Sequence, residues 1–152
     1  MTVKNPGPAY NFRLDIAGDI VGVFSHVTPP AVRVQTIPHR EGGGAPATRF
    51  LPGRVVYEPC TLRWGLGLSD SLWDWLDRVG KGAAEYRDVA LIMMDTTGNR
   101  PTVRYEMRRS LPSAWYMSDL DATGHEFAIE SLELHFEDLV REVMQQETQG
   151  AE

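Results

Sequence analysis

The chain has 152 residues, a formal net charge of −6, 42% hydrophobic residues and 24% charged residues. That length fits one domain with a sizeable core, and the acidic balance argues against a surface that grips nucleic-acid phosphates through clustered positive charge. Cys60 is the only cysteine, so an intrachain disulfide is excluded.

Fourteen glycines and ten prolines point to a turn-rich, strand-rich chain. Met1 to Tyr10 is polar and proline-bearing, without the apolar centre of a signal peptide. No apolar run approaches the roughly 18 residues of a membrane span. These features predict synthesis in the cytoplasm and no membrane insertion, with any export occurring as part of a larger particle.

In chain order, Phe12, Leu14 and Ile16 alternate with polar residues, the period of a half-buried strand. Gly18-Asp19 breaks it, and Val21, Val23 and Phe24 begin a second strand that Pro29-Pro30 ends. Val32 and Val34 alternate with Arg33 and Gln35 as a third. From about 39 to 50 there is no apolar periodicity, and Gly42-Gly43-Gly44 with Pro46 predicts a flexible loop. Strand character returns at Arg54 to Tyr57 and at Thr61 to Trp64, with Pro59 predicting a sheet edge or a bulge.

One helix stands out. Ser69 is a favourable N-cap, Leu72, Trp75, Leu76 and Val79 share one face, and Gly80 is placed to end it. Val89 to Met94, the turn Asp95-Thr96-Thr97-Gly98-Asn99 and the alternation of Val103, Tyr105 and Met107 predict a hairpin. Leu111 to Tyr116 is apolar but broken by Pro112. The last strand covers Glu126 to Phe136, with a change of phase near Ser131 that predicts a bulge or bend. Leu139, Val140 and Met144 predict a short terminal helix, followed by a polar tail from about 145 to 152. The sum is a mainly β chain: an antiparallel β-barrel or sandwich with one packed α-helix, in a single domain over 1–152.

The residues offer little catalytic chemistry. His26, His39, His125 and His135 are scattered, without metal-ligand spacing to Cys, Asp or Glu. The glycine triplet lacks the lysine and hydroxyl of a phosphate-binding loop, and Cys60 reads as a small core residue. The carboxylates from Glu126 to Asp138 read as a solvated or interface face. Trp73 lies off the helix's apolar stripe, a position that suits contact with a partner. No metal, cofactor or catalytic group is expected.

A series of segments resembles the phage tail tube family, which includes the inner tubes of contractile injection systems (T4-like tail tube and Hcp-like proteins). They are 11–18, Gly22 to Val27, Arg40-Glu41-Gly42-Gly43, Leu51-Pro52-Gly53-Arg54, Thr61 to Gly65, Ser71 to Trp75, Asp95 to Gly98, Leu120 to Glu126 and Ala128 to Leu134. Two segments depart from the family's pattern, Thr28-Pro29-Pro30 and Glu58-Pro59-Cys60. The resemblance implies a barrel-like subunit forming hexameric rings that stack into a hollow tube. Its implied partners are copies of itself, sheath, baseplate and spike proteins, and cargo or DNA in the lumen, with no cofactor. Arg40, Glu41, Gly43, Arg49, Phe50, Arg54 and Trp73 form the candidate subunit-interface set. Arg40, Glu41 and Arg49 are expected to pair with charges on the next ring, and an acidic bore would let acidic cargo pass without sticking. The alternatives are a tube-initiating or adaptor ring on the baseplate and, in another class, a monomeric β-barrel module binding a ligand or peptide.

Overall fold

The computed structural model describes residues 12–20, 24, 26–43, 46–65, 70–124 and 128–144. The predicted Ser69 cap, the strand at Val21 and Val23, the start of the last strand at Glu126 and Phe127, and the tail after Met144 lie outside these residues.

Among the described residues, ten strands and one helix follow in order: β1 (Phe12–Ile16), β2 (Asp19–Ile20), β3 (His26–Thr28), β4 (Ala31–His39), β5 (Arg49–Glu58), β6 (Cys60–Gly65), α1 (Asp70–Gly80), β7 (Arg87–Met94), β8 (Pro101–Met117), β9 (Ile129–His135) and β10 (Asp138–Val143). These strands pair antiparallel throughout. The ladder forms two layers because β8 belongs to both. Its first part pairs with β7 on one edge and β10 on the other, while residues 111–117 pair with β9. We call β2-β1-β7-β8-β10 sheet A and β8-β9-β6-β3 sheet B.

The corner of β8 is built at Arg109, which adopts a left-handed φ of 52°. Its backbone N–H donates to Asp88 Oδ1 at 3.0 Å, and its guanidinium reaches Glu137 at 2.8 Å and stacks 4.2 Å over Tyr86. Ser110, fully buried beside it, donates its hydroxyl to the Met107 carbonyl at 2.9 Å, so its buried polar group is met.

Alternation explains which faces close on the core. Sheet A contributes Leu14, Ile16, Val89, Leu91 and Met107; sheet B contributes Cys60, Leu62, Trp64, Leu132 and Leu134. Leu72 and Trp75 of α1 complete the core, at the spacing that puts i and i+3 on one helical face. Trp75 donates its indole N–H to the Glu85 carbonyl, and Glu85 also bridges Arg78 of α1 and Arg87 of β7. Those hydrogen bonds, first from Arg87 and then from Arg78, hold the Glu85 carboxyl below its ordinary range. The Asp95 turn is fastened in the same way, its carboxylate accepting from the Thr97 hydroxyl and from the N–H groups of Asn99 and Arg100.

Four expectations change. The terminal segment is the strand β10, hydrogen-bonded along β8, in place of the expected helix. Pro59 does not mark an edge: it lies just before β6, which pairs regularly with β9 on one side and β3 on the other. The bend near Ser131 is absent from β9, whose register against β6 is unbroken; the irregularity sits in β8 between Pro112 and Ala114. Ile129 simply points out while Leu132 and Leu134 point in. The predicted loop at 39–50 is shorter, because β4 runs to His39 and β5 starts at Arg49.

Candidate assembly surface

The hairpin β4–β5 is a separate two-stranded sheet. It continues the β3–β6 ladder past Pro29-Pro30 and Pro59, residues that have no N–H to offer a ladder. Each strand is about 30 Å long at about 3.3 Å per residue. Every residue of β4 is exposed, so this arm stands away from the body on both faces. At its base Tyr57 packs on Phe136 and donates its hydroxyl to Asp138 Oδ1 at 3.2 Å.

The two faces of the arm differ in chemistry. Opposed residues of an antiparallel pair share a face, so Val32 with Tyr57, Val34 with Val55, Thr36 with Pro52 and Pro38 with Phe50 form one uncharged face. The other face mixes charge with apolar residues: Arg33, paired with Glu58 at 2.6 Å, His39 opposite Arg49 at its far end, and between them the exposed pair Ile37 and Leu51. A bulge in β5 keeps these faces in phase. There Gly53 approaches β4 so closely that a Cβ would lie 3.0 Å from the Gln35 carbonyl oxygen. Phe50 is 66% exposed and Val32 55%, with Val34 and Val55 close to half exposed. An isolated two-stranded hairpin is marginal in water, and a bare apolar face on it calls for a covering surface.

The predicted interface residues fall into two groups. Arg40, Glu41 and Gly43 form the arm's tip, where Gly43 takes a φ of 90° that favours glycine. Arg49 and Phe50 begin β5, and Arg54 lies further down it. Glu41 and Arg49 face each other at 3.7 Å, while Arg40 donates to the Thr48 hydroxyl. The tip charges are thus met within the chain, by an exposed pair of the kind worth about 0–1 kcal/mol. Trp73 is apart from all of these, on the outer face of α1, half exposed and edge-on to Trp115 at 4.9 Å. Val32, Val34 and Val55 escape sequence reasoning as surface residues because their alternation is that of a half-buried strand. The signal available is Pro29-Pro30 and Pro59 flanking the pair, which cut it off from the body.

Among the described residues, no cluster of three or more His, Cys, Asp or Glu could hold a metal ion. No helix among them is long and apolar enough to cross a membrane. Cys60 is buried, and burial pushes its thiol up to about 12. A surface groove lined by Arg63, Tyr116, Ser131 and Ile129 is open to solvent.

A two-layer β-sandwich with a flanking helix and a projecting arm, uncharged along one face, defines a structural subunit. The sequence matches the family model of the T4-like virus tail tube protein gp19 over residues 8–140, and the chain belongs to that family. It is a tail tube structural protein, a component of a phage tail or contractile injection particle, and not an enzyme. Comparison with curated proteins finds no match. Among solved structures, it is similar to a chain in the 6-fold symmetrised cryo-EM structure of the anti-feeding prophage baseplate, with 21% identity and TM-score 0.84, over 93% of this chain and 98% of that one. A chain of the extended sheath–tube complex of the extracellular contractile injection system PVC gives 21% identity and TM-score 0.82, over 93% and 95%. Hcp1 from Flavobacterium johnsoniae is more distant, with 12% identity and TM-score 0.52 over 86% and 93%. The TM-scores show a shared fold, mainly β with one helix, as the sequence predicts.

Proposed function

We propose that this chain is the repeating subunit of an inner tube, with six copies closing into a ring and rings stacking into a hollow conduit for cargo or DNA. The observation that carries this is the arm, which holds out an apolar face for a neighbouring copy to cover. Sheet B supports ring closure. Its two outer strands are β3 and residues 111–117 of β8, and among the described residues each has one edge without a strand beside it. Pairing β3 of one copy with β8 of the next removes both edges. Six is the symmetry of the similar baseplate structure. Stacking is a heterologous contact that propagates, and Arg40, Glu41 and Arg49 exchange their weak internal partners for charges on the next ring. Sheath, baseplate and spike proteins are the outer partners.

The similarity to a chain in a baseplate structure favours one second reading, a ring that starts the tube or adapts it to the baseplate. Such a ring needs a different protein on one side and does not polymerise alone. Negative-stain electron microscopy of the purified protein, with its mass in solution, separates the readings. Stacked tubes are expected. Single rings support the second reading, and a strict monomer at high concentration refutes both.

A further inference from the structure

Sheet B has two unlike ends. At one, Thr28 and Cys60 lead through Pro29-Pro30 and Pro59 into the arm. At the other, β6 finishes at Gly65 opposite Ile129, and Met117 and Trp64 both pair with Glu130. The exposed large hydrophobic residues of the described chain gather at these two ends. Of thirteen, Val32, Val34, Ile37, Phe50, Leu51 and Val55 lie on the arm, while Trp73, Tyr116, Met117, Leu120 and Ile129 lie at or beside the Gly65 end. Of the other two, Tyr86 carries the Arg109 guanidinium on its ring and Val143 ends β10.

Position relative to the sheet narrows how these two surfaces meet. Tyr57 belongs to the arm's uncharged face and packs on the core residue Phe136, so that face continues the core side of sheet B. At the opposite end the core side carries Trp115, opposite the buried Leu132, and Met117, opposite Glu130, whose carboxylate accepts from the Trp64 indole at 2.9 Å. Trp73 of α1 stands edge-on to Trp115 at 4.9 Å. Trp73, Trp115 and Met117 thus form an apolar shelf on the core side, with Trp73 and Met117 about half exposed. Tyr116 and Ile129 point to the other side of the sheet, one residue out of phase. An arm about 30 Å long, arriving in the plane of sheet B from the copy beyond that end, turns its uncharged face toward Trp73 with Met117 beside it.

We infer, resting on the tube reading above, that the Trp73–Trp115–Met117 shelf is the seat for the arm of the next copy, covered by the face of Val32, Val34, Val55 and Phe50. The occupant is a second copy of this chain because the chain carries both surfaces, at opposite ends of one sheet. Such a pair of unlike surfaces repeats from copy to copy without closing. Each alone is an apolar patch bare to water, and each supplies the cover that the other lacks. Trp73 is the anchor of the seat, a large aromatic at the centre of a contact that excludes water.

The first test uses the unaltered chain. Of its four tryptophans, Trp64 and Trp75 are buried and Trp73 is half exposed. Acrylamide should therefore quench a Trp73 component of the fluorescence in free subunits, identified by its loss in Trp73→Phe. In tubes that component should no longer be quenched; a Trp73 quenched in tubes as in free subunits would overturn the inference. The second test places the arm. Phe50→Cys is combined with Met117→Cys in one chain and with Ile129→Cys in another, the native Cys60 being buried and silent, and tubes are treated with a short bis-maleimide. The Met117 chain should give a ladder of covalently joined copies on a denaturing gel, and the Ile129 chain at most a trace. A ladder through Ile129 in place of Met117 would put the arm on the other side of the sheet, and no ladder from either would put it elsewhere; each result overturns the inference. Where a cysteine pair prevents assembly, the quenching result decides. If the unaltered chain forms no tubes, the tube reading itself fails, an outcome seen before either test is done.

Discussion

Replacing Val34 with Lys and Val55 with Glu isolates the role of the arm. The two residues face each other across β4 and β5, so the introduced charges are opposite and adjacent, an arrangement that supports a strand pair by about 0.2–1 kcal/mol. Neither side chain belongs to the core, and surface changes of this kind alter subunit stability by within about 0.5 kcal/mol. Assembly should respond differently. Val34 is 47% and Val55 46% exposed, so covering them removes about half of a valine side chain from water twice. Full burial is worth about 1.5–3 kcal/mol per side chain, which makes the loss about 2 kcal/mol per contact. That weakens each arm contact about thirtyfold, at about 1.4 kcal/mol for each factor of ten. Burying the new charges adds to this. The expected result is a thermal midpoint within a degree or two of the parent, with tubes disappearing at concentrations where the parent assembles, as read by sedimentation velocity and microscopy. Tubes forming at the parent's concentration, with the fold intact, would refute the argument that the uncharged face is an assembly surface.

Two further outcomes test the core. The unfolded chain releases the Cys60 proton from about pH 9, while the folded chain keeps it to about 12, so stability should fall with rising pH across that window by about 1.4 kcal/mol per unit. Cys60→Ala should lower stability by a pH-independent amount and remove this slope; an unchanged alkaline slope in denaturant titrations refutes the attribution to Cys60. Leu132→Ala, at a site with no exposure between the sheets, should cost about 3 kcal/mol in equilibrium unfolding. A cost near zero would mean that the two layers do not close on it.

Much of the body is legible in the sequence because its signals are local. Phe12, Leu14 and Ile16 alternate, the helix shows Leu72 and Trp75 at helical spacing, and the turn after Met94 holds an Asp that binds its own backbone. Sequence reasoning fails where partners are distant. Leu139 and Val140 are adjacent apolar residues, a pattern that helices also show. Only the run of pairs from Asp138 with Arg108 to Val143 with Val103 makes β10 a strand. Pro112 reads as a break, yet β8 absorbs it at a bulge while leaving one sheet for the other. The arm reads as a loop with short strands because Gly42, Gly43 and Pro46 mask a ladder that holds through cross-strand pairs. Resemblance points to the tip residues of the candidate interface, whereas the apolar face beside them needs the register.

The bend of β8 at Arg109 also bears on mechanics. One covalent strand enters sheet A at Pro101 and leaves in sheet B at Met117. Beside it β9 and β10 make the same crossing at Phe136 and Glu137, tied by a 3.0 Å hydrogen bond from the Glu137 N–H to the Arg108 carbonyl. A shear that slides one layer over the other thus loads two backbones and the Arg109–Glu137 clamp, as well as the oily contacts between sheets. In a sandwich joined only by loops the same shear would load the core contacts alone; here the layers are stitched by continuous strands, so sliding them means stretching backbone as well.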